Sequence, residues 1–253
     1  MRRLAALLLI WAGLVAGPAF GQRLIAATSD PEVSIDSTFS GESITLFGAI
    51  EPELGASEVP AGTYHIIIAI RGPSHDRVAR LKERVLGVWL NRQQAVFKNF
   101  PAYFWIVSSA PVEQITDAET LDRELLTFES QTRTGAEAND SMTALFGTEL
   151  VRLMQAKGLF GSESRAVQFL SDRLYQARID LPAFVPNGNF LSRTMLFRDG
   201  ELVASKAQRF TVRTAGLDRF VVEASRNQSL AYGLACVLLA LGTGWLSGAA
   251  FRR

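Results

Sequence analysis

The C-terminal stretch constrains this chain most. Leu230 to Phe251, LAYGLACVLLALGTGWLSGAAF, runs 22 residues without an Asp, Glu, Lys, Arg or His. A helix of about 20 apolar residues crosses a hydrocarbon core of about 30 Å. Residues 230–251 are therefore predicted to be a transmembrane helix, and what precedes it is what that helix holds at a bilayer.

A second apolar segment opens the chain. Met1-Arg2-Arg3 is a short positive start, Leu4 to Val15 is apolar, and Gly17-Pro18 interrupts the run. Ala19 and Gly21 supply the small residues that a cleavage after Gly21 requires. This is the layout of a secretory signal, so residues 1–21 are read as a signal peptide and the mature chain as starting at Gln22. Export followed by arrest at the C-terminal helix leaves a short tail, 252–253, on the inner side. Arg252 and Arg253 there agree with the positive-inside tendency, although Arg226 on the outer flank weakens the contrast.

Between the two apolar ends lie all 25 acidic residues and 22 of the 26 basic ones, a net charge of −3. That balance argues against nucleic acid as a partner, since such binders carry a strong basic excess. The single cysteine, Cys236, sits inside the predicted span. The exported part thus has no disulfide, no thiol nucleophile and no thiolate metal site, and its core must hold it without cross-links. A bacterial periplasm suits such a domain. The expected location is a bacterial inner membrane, crossed once, with the large domain in the periplasm and the C-terminus cytoplasmic.

The exported region reads as mainly β. Val33-Ser34-Ile35-Asp36 and Ser43 to Ile50 alternate, with a turn at Phe39 to Glu42. Tyr64 to Ile70 (YHIIIAI) is apolar on both faces, the mark of a central strand. Arg71 to Arg84 is a basic run, read as a solvated loop or edge. Val85 to Leu90 and Ala102 to Ser108 read as further strands. Asp117 to Glu129, capped by Thr116 with Glu119 as its box partner, and Asp140 to Lys157 read as a helical pair separated by the polar stretch Ser130 to Ala138. The second helix is expected to bury Met142, Leu145, Phe146, Leu150, Leu153 and Met154, and to end at Gly158. Sheet is expected to resume near Ala166, with Leu174 to Leu181 a strand. Asn189 to Phe197 and Glu201 to Val212 form a hairpin through Asp199-Gly200, and Gly216 ends the sheet. The expected fold is an immunoglobulin-like β-sandwich, one composite or two small, with an inserted helical pair and one C-terminal transmembrane helix. The predicted divisions are 22–116 and 161–216 for the β regions, 117–160 for the helical insertion and 217–229 for a juxtamembrane segment.

Arg71-Gly72-Pro73, the basic run, Arg84 to Asn91 (RVLGVWLN), Phe100-Pro101 and Val107 to Pro111 (VSSAP) resemble a family of alphaproteobacterial transmembrane proteins. Phe197-Arg198-Asp199-Gly200 and the two apolar ends extend the resemblance over nearly the whole chain. The family carries no established activity, so no catalytic residue transfers. Its members are often encoded beside a sulfite exporter-like permease, which implies a polytopic membrane protein as partner.

Chemistry is sparse. His65 and His75 are the only histidines, and no ligand spacing links them. Ser74, His75 and Asp76 are adjacent and cannot form a triad among themselves, and Ser108 and Ser109 lack a nucleophile elbow. No enzyme motif, metal site or cofactor is expected. Two candidate sites remain. Arg71, Arg77, Arg80, Lys82 and Arg84 would bind an anion such as a sulfonate, sulfite, phosphate or lipid headgroup. Ala240, Gly244 and Gly248 recur every four residues, a small-residue face that permits close helix contact in lipid.

The expected function is a non-enzymatic accessory or partner-binding subunit of a membrane system, with sulfur-oxyanion export implied by the resemblance. The alternatives are a membrane-tethered enzyme with an unrecognised site and a homo-oligomeric envelope scaffold. Protease added to spheroplasts should digest the domain; full protection would reverse the topology.

Overall fold

The computed structural model describes residues 22–35, 42–52, 58–85, 87–137, 141–182, 184–214 and 224–250. The predicted signal peptide, the turn at 39–41, Gly216 with most of the juxtamembrane segment, and the tail 252–253 lie outside the described residues.

Two sheets share one core. The smaller is antiparallel, in the order β1 (Arg23–Thr28), β3 (Glu42–Glu51), β10 (Leu174–Leu181), β9 (Val167–Phe169). The larger runs β2 (Glu32–Ile35), β12 (Glu201–Thr214), β11 (Gly188–Arg198), β4 (Tyr64–Arg71), β7 (Phe104–Ser108), β8 (Phe160–Ser164). Its outer pairs, β2 with β12 and β7 with β8, are parallel; the rest are antiparallel. Strands from either side of the helical segment interleave: β3 pairs with β10, and β4 with β11. Gln208 of β12 donates to the Ala26 carbonyl of β1, tying one sheet to the other.

Strand β4 explains the layering. Its alternation sends Ile66, Ile68 and Ile70 into the core between the sheets, where they meet Ile44, Tyr175, Ile179, Phe190 and Phe210. The same alternation sends Ile67 and Ala69 into a second core, with Phe100, Phe104, Ile106, Met195 and Phe197. Full burial of an isoleucine stabilises by roughly 1.5–3 kcal/mol, so both faces hold this strand at the centre, as YHIIIAI predicts. The aromatic run divides likewise: Tyr103 enters the first core with Trp105 packed against it, and Phe104 and Ile106 enter the second.

Helices cover the second core. In place of the predicted pair the described residues form four: α1 (Val112–Ile115), α2 (Ala118–Arg123), α3 (Phe128–Arg133) and α4 (Ser141–Ala156). The first predicted helix is broken at Leu125, whose φ of 58° is left-handed. Its cap is Asp117, not Thr116: the Asp117 carboxylate accepts from the Thr120 amide at 2.7 Å, which holds its pKa below the usual carboxylate value. The expected polar separator is largely helix α3, capped by Thr127, and its Ser130, Gln131 and Thr132 are buried. On α4 the inward stripe is Thr143, Phe146, Gly147, Val151 and Met154. Met142, Leu145 and Leu153 face water instead. Sheet resumes at Phe160, earlier than expected, because β8 adds in parallel to β7.

The Asp199-Gly200 turn is as predicted. Both residues have positive φ, 51° and 94°, and Arg198 pairs with Glu201 across them. Helix α5 (Ser229–Ala250) is the C-terminal apolar helix, and its span Ser229–Gly248 is long and apolar enough to cross a membrane.

Two buried phenols give opposite expectations. The Tyr103 hydroxyl is buried without a partner among the described residues, whereas Tyr175 donates to the Ile25 carbonyl at 3.1 Å. Tyr103→Phe should stabilise by about 1 kcal/mol, and Tyr175→Phe should destabilise by about 1 kcal/mol, in denaturant unfolding of the purified chain. Burial raises both phenols, Tyr175 to about 12. These groups favour the folded state below the ordinary tyrosine value of about 10, and that contribution is lost as pH rises from there toward the folded values.

Candidate functional site

The basic run Arg71 to Arg84 is not a loop. After Arg71 closes β4, Ser74–Val85 forms strand β5, paired antiparallel with β6 (Val88–Pro101) in a separate two-stranded ribbon. The single strand expected over Val85 to Leu90 is instead the end of one strand and the start of the next: Val85 closes β5 and pairs with Val88, which opens β6, and Gly87 takes a φ of 86°, a left-handed conformation that suits glycine.

The stem is fastened on two sides. Arg71 Nη2 donates to the Asn99 carbonyl at 2.8 Å, and the Asn99 amide donates to Asp76 Oδ1 at 3.0 Å. Burial lowers the Arg71 pKa. On the other side the Lys98 amide donates to the Gly135 carbonyl at 2.6 Å, the Glu137 amide donates to the Val96 carbonyl at 3.1 Å, and Phe97 bridges Ala136. Lys98 and Glu137 add an ion pair at 2.8 Å, and the Glu137 carboxylate raises the Lys98 pKa. Ala95, Phe97 and Phe100 sink into the second core.

This geometry divides the five basic candidates. Arg71 is engaged at the stem. Arg77 lies opposite Phe97, on the face of β5 that also carries Ala79 and Leu81. Arg80, Lys82 and Arg84 lie on the other face with Val78, opposite Gln94, Asn91 and Trp89. All three are exposed. The pentad therefore does not converge; a triad of cations does, beside an exposed tryptophan.

The structure also joins two residues that the sequence keeps apart. Antiparallel pairing of β4 with β7 puts His65 Nδ1 3.2 Å from Ser109 Oγ, which also accepts the Ile66 amide at 3.1 Å. No carboxylate completes this pair among the described residues, and the serine fastens the end of β7 to β4. His75 lies on β5, opposite Phe100. Among the described residues no cluster of three or more His, Cys, Asp or Glu side chains could hold a metal ion.

A cleft of about 630 Å³ lies elsewhere, between the Glu58–Gly62 segment and the β9–β10 turn, with Tyr64 in its wall. Ser171 there accepts the Arg173 and Leu174 amides and so shapes the turn.

Helix α5 places Ala240, Gly244 and Gly248 on one face, and a Cβ added at either glycine meets nothing within 4 Å. The helix is unburied along its span, and apolar side chains stand exposed on opposite sides of it: Leu230 and Val237 on one, Leu239 and Leu246 on the other. A helix apolar on every side is at home in lipid. These features define a membrane protein with a β-rich domain and a C-terminal transmembrane helix. The chain belongs to the family Alph_Pro_TM, described as "Putative transmembrane protein", whose model matches residues 23–253. A search of curated proteins finds no match.

If Arg80, Lys82 and Arg84 serve binding and not folding, replacing all three by Gln should leave stability within about 0.5 kcal/mol per site. Denaturant unfolding of the purified variant checks this.

Proposed function

We propose that this protein is a non-enzymatic accessory subunit of a membrane system, held by its single helix and engaging a polytopic membrane protein through that helix. The observation that carries the reading is the open small-residue face of α5, where Gly244 and Gly248 leave room for another backbone. In lipid, association rests on packing and hydrogen bonds, because tails and apolar side chains are alike, so faces that admit close approach are the ones that associate. The domain is periplasmic in this reading. In support, the family match begins at Arg23, one residue after the expected mature start. An exporter-like permease for a sulfur oxyanion is the partner class implied by the resemblance.

Gly244→Leu with Gly248→Leu should reduce co-purification of a polytopic partner from native membranes at least several-fold, with the domain still folded. Undiminished recovery of the partner would overturn the helix-packing reading. Recovery of a second copy of this chain alone would favour a homo-oligomeric scaffold.

A further inference from the structure

Among the described residues, none from 80 to 94 enters either core. Beyond Ala79 the β5–β6 ribbon leaves the second core, and about 3.3 Å per strand residue puts its tip roughly 26 Å farther out. At that tip Val88 is 59% exposed, Trp89 65% and Leu90 47%. Three large apolar residues in succession are placed in water at the end of a two-stranded arm. Residues 80–94 carry four basic side chains against one acidic, and Arg84 lies directly opposite Trp89.

We propose that this hairpin is a second membrane contact: its Val88-Trp89-Leu90 tip enters the interfacial layer of a bilayer, and Arg80, Lys82 and Arg84 meet anionic lipid headgroups. Tryptophan favours the membrane interface, where one edge of the indole is apolar and the other wet. Exposed cations on the same face complement a negative lipid surface. Their long stems let the charges reach headgroups while the tip goes deeper. The chain supplies the remaining condition itself. Its own transmembrane helix keeps the domain at the bilayer, so contact is intramolecular and needs little intrinsic affinity. The fastening of the stem at Asn99, Gly135 and Ala136 sets the direction of the arm, and with it the standing of the domain on the membrane. This role is independent of the packing of α5 against a partner.

The test uses the full chain in nanodiscs, of phosphatidylcholine alone or mixed with phosphatidylglycerol. Val88→Cys in a Cys236→Ser background carries an environment-sensitive fluorophore at the tip. In the anionic discs the emission should shift to the blue and be quenched by doxyl-labelled lipid. Adding Arg80→Glu, Lys82→Glu and Arg84→Glu should lower the lipid-quenched fraction about tenfold, since each basic residue adds to attraction by an anionic surface. The three Gln replacements, which introduce no repulsion within the ribbon, should lower it in the same direction. A tip quenched by aqueous iodide in both lipids overturns the proposal. So does lipid quenching that ignores the charge replacements. Shielding from both quenchers assigns the tip to a second copy of the chain and also overturns it. Partner co-purification is a separate measurement, so failure here leaves the helix-packing reading standing.

Discussion

Everything in the domain depends on β4 being apolar on both faces. A strand with one wet face closes one core; β4 must close two. Ile66, Ile68 and Ile70 require a sheet in front of them, and β3 and β10 supply it. Ile67 and Ala69 require cover behind, and the helices with the stem of the ribbon supply that. Because the neighbours β7 and β11 alternate in step with β4, their aromatic and aliphatic residues divide between the same two cores. The domain is layered for this reason, and the ribbon leaves it from the helical side.

What the sequence makes legible follows burial. Leu174–Leu181 alternates because one face of β10 is wet, and Asp199-Gly200 announces its turn through backbone chemistry alone. Strand β5 lacks such a signature. Water reaches both faces of its outer half, so charged residues fall where a strand in a core would show an apolar one, and the stretch reads as a solvated loop or edge. The helical layer misleads in the opposite sense. Ser130, Gln131 and Thr132 look like a solvated separator, yet they are buried, and local bonds take up all but one of the polar groups named here: Ser130 to Thr127, Thr132 to Glu129, and Gln131 Nε2 to Leu125, while Gln131 Oε1 has no partner among the described residues. The approach of His65 to Ser109 is set by the register between two strands some 40 residues apart, which no local pattern encodes.

The tip of the ribbon is the clearest conflict between composition and place. Val85 to Leu90 is apolar enough to read as strand, and the fold puts its Val88, Trp89 and Leu90 in water. Local rules and global structure usually agree, and where they part the cause is commonly functional. The five basic residues show the same thing at finer grain. Spacing along the chain makes them one group; strand alternation and the Asn99 contact separate them into a stem residue, a residue on the inner face, and three that share a face with Trp89.

A two-stranded ribbon extending from a domain carries a hazard of its own. Its strands, 12 and 14 residues long, offer backbone hydrogen-bonding groups along their outer sides, a template on which another chain can add. Two register irregularities bend it, between His75 and Arg77 and between Leu81 and Lys82. Cations along one face would repel an identical ribbon laid beside it. Charge along an edge strand opposes such addition, whatever else the cations do.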